Sequence, residues 1–364
     1  MNIIINSEDF VQHLSKVVGV VDRKQTMPIL GHVLITGSSG EITLTATDLE
    51  VQISSAFKSN IPDDFAITLP GRKLFDILRS LGSTDIEMTA DNDIVVLKTA
   101  NSKFSLQQLP ANEFPLFDET ESNQSFTIKQ EALSELFNKT QFAMAQQDVR
   151  FYLNGLLLEI GSETLNVVGT DGHRLAKTNI SLDKKNINAQ SCIVPRKAIQ
   201  ELTKSLSDTK DCKVSLVENQ ASFSYSQVTL TTKLIDGTFP DYNRVIPEST
   251  TTNIMLDTSI LKPALQRVSI LANEKFRGVR IDIDNDKITI SSENPEQEQA
   301  VEDIDIDGTN VKLSIGFNVS YLIDAVNACT GELVTLGVND ETTSALITDP
   351  SDPNTKYVVM PMRL

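Results

Sequence analysis

Apolar and polar residues alternate along most of the chain in short runs. In "VRIDIDNDKITI", Val279, Ile281 and Ile283 are followed, after a polar pair, by Ile288 and Ile290. Period two over four to eight residues marks half-buried strands, and Asn285-Asp286 between two such runs marks a hairpin turn. Three segments instead space their apolar residues three and four apart. "SEDFVQHLSKVVGVV", from Ser7, lines up Phe10, Leu14, Val17, Val18 and Val21. "KQEALSELFNKTQFAMA", from Lys129, lines up Leu133, Leu136, Phe137 and Thr140. "DTSILKPALQRVSILAN", from Asp257, lines up Leu261, Leu265 and Val268. Each predicts an amphipathic helix. The first is expected to be N-capped by Ser7, with Glu8 and Asp9 in its first turn.

The three helices open one repeating cycle. About 35 residues after each helix begins, a strand ends in a polar motif: "LTATDLE" with Asp48, "VVGTDGHR" with Asp171, "ITISSENPE" with Glu293. A second helix pattern follows each time, in "PGRKLFDILRSL", "PRKAIQELTKSL" and "NVSYLIDAVNA". The first two open on proline, which lacks only an N–H that a helix start leaves free. The first two cycles close in Phe-Pro, at Pro115 and Pro240. A fixed period of this size marks internal duplication. The expected fold is α+β: three repeated domains, 1–125, 126–253 and 254–364, each with two helices and roughly eight short strands. Hairpin-length connections make the sheets antiparallel.

Composition narrows the function. The chain has 364 residues and a net charge of −17, unevenly spread. Residues 1–125 hold 9 basic and 17 acidic side chains, residues 126–253 hold 14 of each, and residues 254–364 hold 9 and 18. An acidic body argues against gripping nucleic acid from outside, because phosphate binding depends on Lys and Arg. Fifteen of the 32 basic residues, however, lie in or just after the recurring helices, among them Arg72, Lys139, Arg150, Lys197 and Arg267. That placement predicts a positive helical wall able to meet a phosphate backbone without reading bases. Cys192, Cys212 and Cys329 lack metal or disulfide spacing and fit reduced packing residues in the cytoplasm. No apolar run reaches membrane-helix length, and the N-terminus lacks the basic start of a secretory signal.

Two stretches invite a chemical reading. Asp171 and His173 in "TDGHRLAKT" could serve as orienter and base of a hydrolase. The chain carries no GxSxG, HExxH or P-loop pattern, and Asp48 and Glu293 recur at equivalent positions, so the acid reads as scaffold. In "DIDNDKITISSE", Asp282, Asp284, Asp286 and Glu293 match calcium-loop spacing, but Lys287 stands where the loop needs glycine. Arg72, Lys73 and Lys103 in the first third are opposite in sign to Glu296, Glu298 and Glu302 in the last, which fits a head-to-tail contact between copies. The apolar tail "VVMPMRL" reads as packing or as an adaptable binding surface.

Taken together, "TMPILGHVLI", "DVRFYLNGLLLE", "TDGHRLA", "IVPRK", "DGTFPDYNRVIP", "NEKFRGVR", "NPEQEQA", "IGFNVSYLIDAVNA" and "YVVMPMRL" closely resemble the bacterial beta sliding clamp family, the processivity subunit of DNA polymerase III. The likeness runs from end to end. It implies the DNA-clamp fold: half of a six-domain homodimeric ring around duplex DNA, with no cofactor, no bound metal and no catalysis. It implies as partners the polymerase III alpha subunit, the clamp loader, translesion polymerases, ligase and mismatch-repair proteins. These insert a short apolar motif between the second and third domains. A protein-only scaffold and an Asp171/His173 hydrolase are the alternatives.

Carried over by position, the resemblance implies a partner pocket of Leu153, Thr170, Gly172, His173, Arg174, Leu175, Pro240, Arg244, Val245, Ser344, Val358, Met360, Pro361, Met362 and Arg363. Leu153, Leu175, Val358 and Met360 are expected to bury the partner's apolar anchors. It implies DNA contacts at Lys24, Gln147, Arg150, Tyr152, Arg196 and Lys197. Gln146 and Asn243 depart from the family's His and Arg, which removes a cation at each place. It implies a dimer seam of Lys73, Ile77, Lys103 and Phe104 against Ile270, Leu271, Glu296, Glu298 and Glu302.

Overall fold

The computed structural model describes residues 2–21, 27–118, 124–182, 189–206, 208–217, 219–309 and 311–363. Over these residues the chain runs through one cycle of eight strands and two helices three times. The first cycle is β1 (Asn2–Asn6), α1 (Ser7–Val17), β2 (His32–Ser38), β3 (Glu41–Thr47), β4 (Val51–Lys58), β5 (Phe65–Pro70), α2 (Gly71–Leu81), β6 (Asp85–Asp91), β7 (Ile94–Lys98) and β8 (Lys103–Gln107). The second is β9 (Gln124–Lys129), α3 (Gln130–Thr140), β10 (Gly155–Ile160), β11 (Thr164–Thr170), β12 (Arg174–Ser181), β13 (Gln190–Pro195), α4 (Arg196–Ser205), β14 (Asp211–Val217), β15 (Gln220–Tyr225) and β16 (Val228–Lys233). The third is β17 (Thr252–Asp257), α5 (Thr258–Ile270), β18 (Gly278–Asp284), β19 (Lys287–Glu293), β20 (Gln299–Asp305), β21 (Lys312–Asn318), α6 (Val319–Ala328), β22 (Leu333–Val338), β23 (Ala345–Asp349) and β24 (Asp352–Val359).

The chain divides into two compact units, Met1–Ser134 with Lys197–Leu234, and Glu135–Arg196 with Ile235–Leu364. The first holds a four-stranded sheet, β1-β6-β7-β8, and an eight-stranded sheet, β5-β2-β3-β4-β16-β15-β14-β9. The second holds an eight-stranded sheet, β13-β10-β11-β12-β24-β23-β22-β17, and a four-stranded sheet, β20-β19-β18-β21. Each eight-stranded sheet is two half-sheets joined by one rule. The fourth strand of one repeat pairs antiparallel with the eighth strand of the next: β4 with β16, where Ile53 faces Leu230, and β12 with β24, where Leu175 faces Val358. The hairpin between β18 and β19 turns at Asn285-Asp286, with Asp284 opposite Lys287.

The helices bury the faces that their spacing marks. Phe10, Leu14 and Val17 of α1, Leu133, Leu136 and Phe137 of α3, and Leu261, Leu265 and Val268 of α5 are buried. At about 1.5–3 kcal/mol for each large apolar side chain removed from water, these stripes dominate the packing of their helices. The cap of α1 corrects the sequence reading. Asn6, not Ser7, caps the helix, its side chain accepting from the Glu8 N–H at 3.0 Å. Ser7 is the first helical residue; its hydroxyl donates to the Gly82 carbonyl and accepts from the Thr84 N–H at 2.8 Å. Serine is therefore spent on tertiary anchoring, and the neighbouring Asn takes the local role. Asp257 and Asn318 cap α5 and α6. No helix among the described residues is long and apolar enough to cross a membrane.

Candidate functional site

The loop between β11 and β12 is built by two side chains. Asp171 Oδ1 accepts the N–H groups of His173 (2.8 Å) and Arg174 (3.0 Å). Thr170 Oγ1 accepts the Gly172 N–H (3.1 Å) and donates to the Arg174 carbonyl (2.6 Å). The first repeat builds the same turn between β3 and β4. Asp48 Oδ1 accepts from Glu50 (2.9 Å) and Val51 (2.7 Å), and Thr47 Oγ1 accepts from Leu49 (3.1 Å) and donates to the Val51 carbonyl (3.1 Å). Such side-chain turns shape loops without further chemistry. Asp171 Oδ2 accepts from Arg174 Nε (3.1 Å), so both carboxylate oxygens are committed away from the exposed His173 ring. The orienter–base pair that a hydrolase requires is not assembled.

Arg174 is the hub of the loop. Its guanidinium donates to Asp171, to Asp324 Oδ2 (2.5 Å) and to the Phe142 carbonyl (2.5 Å), and it lies 4.5 Å from the Tyr321 ring centre. A planar five-donor group suits this task, where lysine would satisfy one partner at a time. The pocket resemblance places Arg174 against the partner; in the structure its donors serve the loop, α6 and the turn after α3. Asp324, Tyr321 and Phe142 were missed by sequence reasoning, since nothing local to residue 174 points to them.

The remaining pocket residues sort by depth. Leu153, Leu175 and Val358 are 2%, 3% and 1% exposed. Leu175 and Val358 belong to a buried floor, and Leu153 is buried as well. Leu175 and Val358 sit in a cluster with Leu157, Val168, Ile193 and Tyr242, against which Phe239 and Val245 pack. Thr170 is buried, Val245 and Ser344 are half-buried, and Pro240 and Arg244 are exposed. Met360, Pro361 and Met362 are half-buried and Arg363 is exposed. The tail is pinned by its backbone: the Met360 N–H donates to the His173 carbonyl (2.9 Å) and the Met362 N–H to the Gly316 carbonyl (2.8 Å). Met360 follows β24 directly, half-buried beside His173, while Tyr152, Phe239, Val245 and Leu346 are among the side chains that pack on the floor. Met362 and Arg363 border a groove of about 790 Å³ on the outer face of β18 and β19.

Three of the residues assigned to DNA, Arg150, Arg196 and Lys197, are cations with partners within the chain. Arg150 Nε and Nη2 hold both oxygens of Asp148 (3.0 and 2.8 Å), and Nη2 also reaches the Asp171 carbonyl (3.1 Å). The Arg150 hydrogen bonds pull the Asp148 carboxyl down to about 2. Gly172 lies under this guanidinium at φ +88°, where an added Cβ would stand 2.9 Å from Arg150 Nη1. Asp148, two positions before Arg150, was the legible partner that sequence reasoning passed over. Lys197 forms an ion pair with Asp48. Arg196 donates to the Met144 carbonyl (3.2 Å), Tyr152 is half-buried, and Gln147 is exposed at φ +56°. Lys24 lies outside the described residues.

Three other cations of the expected positive wall also have partners within the chain. Lys139 is 12% exposed between Glu135 and Asp352, Arg72 donates to the Val21 carbonyl, and Arg267 clasps both oxygens of Glu302. For Lys139, burial works against the charge, but the bonds to Asp352 and Glu135 outweigh it and raise its pKa.

The residues expected at a seam lie on two edge strands, in α2, at the end of α5 and in the loop before β20. On the edge strand β8, Phe104 and Leu106 face the core side yet stay half-exposed, with Lys103 outward; Ile77 of α2 is half-exposed and Lys73 exposed. On the edge strand β20, Ala300, Glu302 and Ile304 face inward. At the end of α5, Ile270 is 75% exposed and Leu271 half-buried, while Glu296 and Glu298 occupy the loop before β20.

Sequence profiles of the DNA polymerase III beta subunit match this chain in three parts: the N-terminal domain over residues 1–118, the central domain over 127–241 and the C-terminal domain over 243–363. The beta sliding clamps of Pseudomonas putida and Escherichia coli are 41% and 38% identical to it across the whole of both chains. The crystal structure of the Pseudomonas aeruginosa DNA polymerase III beta subunit superimposes with a TM-score of 0.97 at 39% identity, and that from Caulobacter crescentus with 0.95 at 32%, each over the whole of both chains.

Proposed function

The chain belongs to the DNA polymerase III beta subunit family, the bacterial sliding clamps, and on that basis we propose that two copies close head to tail into a ring threaded by duplex DNA in the cytoplasm. The observation that carries this reading is the pair of leftover sheet edges. Within the chain, a fourth strand meets the eighth strand of the next repeat at both joints. The fourth strand of the last repeat, β20, and the eighth of the first, β8, remain as edges of four-stranded sheets. The same rule joins β20 of one copy to β8 of another and yields an eight-stranded sheet of the kind present twice already. Bare edges favour such pairing, and a heterologous contact closes where its rotation allows. Phe104, Leu106 and Ile77 supply one apolar side, Ile270 and Leu271 the other. Lys73 and Lys103 face Glu296 and Glu298, while Glu302 is already held by Arg267.

The repeats, taken as 1–125, 126–253 and 254–364, serve as the three clamp domains of each copy. The DNA-facing set is Lys24, Gln147, Arg150, Tyr152, Arg196 and Lys197. Arg150 and Lys197 carry carboxylate partners, so phosphate must compete for them, which gives weak, salt-sensitive contact. That suits a ring held by topology and free to slide. The pocket beside Met360 receives the apolar motifs of the polymerase alpha subunit, the clamp loader, translesion polymerases, ligase and mismatch-repair proteins, one at a time. The protein acts as a scaffold and catalyses nothing.

The test is retention. Protein loaded onto closed circular DNA stays bound and is released when the circle is cut; equal retention on circular and linear DNA overturns the reading. For the seam, reversing Glu296 and Glu298 to Lys raises the dimer dissociation constant roughly tenfold by placing like charges across it. An unchanged constant in ultracentrifugation rejects this pairing of edges.

A further inference from the structure

Lys177 of β12 stands directly opposite Lys356 of β24. Like charges at facing positions of a sheet destabilise it, so the pair calls for an explanation. Among the described residues neither ammonium is in an ion pair. The carboxylate nearest in the pattern, Glu159 of β10, takes the Tyr242 hydroxyl at 2.5 Å. Lys177 Nζ lies 5.0 Å from the Tyr242 ring centre, and both lysines are half-buried. Burial lowers the pKa of Lys177, Glu159 raises it, and Lys356 lowers it again.

Position in the register gives the pair its meaning. Side chains two apart on a strand share a face, so Lys177 and Lys356 lie on the face that carries Leu175 and Val358. They form the next like-facing rung of the same joint, about 7 Å along at 3.4 Å per residue. Tyr242 spans both rungs, packing with Leu175 and Val358 while facing Lys177. An extended segment that runs along β12 with its apolar anchor over the Leu175–Val358 rung therefore brings a side chain two residues away over two unneutralised ammonium groups.

We propose that the Lys177–Lys356 rung is a carboxylate subsite of the partner pocket, selecting partner segments that carry an Asp or Glu two residues from their apolar anchor. This rests on the pocket reading above and adds to it the charge that the pocket selects. Keeping two lysines opposed costs sheet stability, and an incoming carboxylate bridging both relieves the repulsion with charge-assisted hydrogen bonds.

The test uses the full chain and synthetic decapeptides with a fixed apolar anchor and either Glu or Gln two residues before or after it. Fluorescence anisotropy is read on the wild type, Lys356→Glu and a variant truncated before Met360. The wild type is expected to prefer one Glu peptide over its Gln counterpart roughly five- to tenfold. Salt at 0.5 M removes that preference, and Lys356→Glu abolishes it while leaving the Gln peptides within about twofold and raising the melting temperature. Equal wild-type affinity for Glu and Gln peptides at both positions overturns the proposal. So does equal weakening of all peptides in Lys356→Glu, or a loss of retention on circular DNA with peptide preference intact, which would assign the lysines to phosphate. If no peptide binds the wild type and truncation changes nothing, the pocket reading itself has failed, and the subsite falls with it.

Discussion

At the β4·β16 joint, Ser54 faces Thr229 and Gln52 faces Thr231. At the β12·β24 joint, the corresponding positions, counted from Asp48 and Asp171, hold Lys177 facing Lys356 and Leu175 facing Val358. The backbone rule is the same and the turn before each joint is the same. The first joint is sealed: Gln52 Oε1 accepts the Phe117 N–H at 2.9 Å, and the Lys233 ammonium covers the Phe117 ring. The second replaces that amide with an apolar rung, a cationic rung and a methionine tail. A duplicated scaffold thus provides two equivalent joints, and a few side chains set the proposed binding surface apart from its sealed counterpart.

The sharpest way to break the contrast is to remove the tail. Truncation before Met360 takes away a side chain whose burial is worth about 1.5–3 kcal/mol, and peptide affinity is expected to fall at least roughly tenfold in anisotropy. The first joint supplies no substitute, so residual binding at wild-type strength would erase the distinction.

Next comes the support of the second joint. Asp349, 3% exposed at the end of β23, accepts from the N–H groups of Thr330, Gly331 and Ser351 and from the Ser351 hydroxyl. Asp349→Ala strands buried donors and is expected to cost about 2–3 kcal/mol in chemical denaturation. Burial disfavours the charge of Asp349 and of Asp352, but hydrogen bonds prevail and both pKa values lie below the ordinary range. A depressed folded-state pKa contributes stability above the unfolded value, near 4, that is lost as pH falls through the lower folded value. Unfolding curves from pH 6 to 2 should show this decline, and Asp349→Ala should flatten it.

The two turns give a smaller contrast. Gly172→Ala meets both a positive φ and the Arg150 guanidinium, an expected loss of about 1–2 kcal/mol. Leu49 holds φ +76° at the equivalent place. Leu49→Gly is expected to change stability by less than about 0.5 kcal/mol, because relief of that backbone conformation offsets the added freedom of the unfolded chain. Calorimetry on both variants separates conformational strain from the arginine contact. Smallest of all, Ser54→Lys with Thr229→Lys installs the opposed pair at the first joint. It should cost about 0.5–1 kcal/mol and confer no Glu-peptide preference; a gained preference would show that the lysines alone make the subsite.

The helices and the repeat were legible because Phe10, Leu14 and Val17 or Leu261, Leu265 and Val268 obey a local period. The α1 cap was misread by one residue, since the demand on the Ser7 hydroxyl comes from Gly82 and Thr84, far along the chain. The residues proposed for the pocket came from resemblance, which said nothing of their depth. Whether Leu175 is a wall or a floor depends on Tyr242 and Val245 folding over it. The cations show the same limit. Asp148 could be read beside Arg150, whereas Asp48 with Lys197 and Lys177 with Lys356 meet only once distant strands have paired.

The two leftover edges are of different kinds, a fourth strand and an eighth, so in the proposed pairing each meets the other and not a copy of itself. A free peptide with the sequence of β8 should therefore act as a stopper, occupying β20 of any chain it meets while ignoring β8. At sufficient concentration it would hold the protein as single, capped chains, and washing it out would let them pair again without any repeat having unfolded.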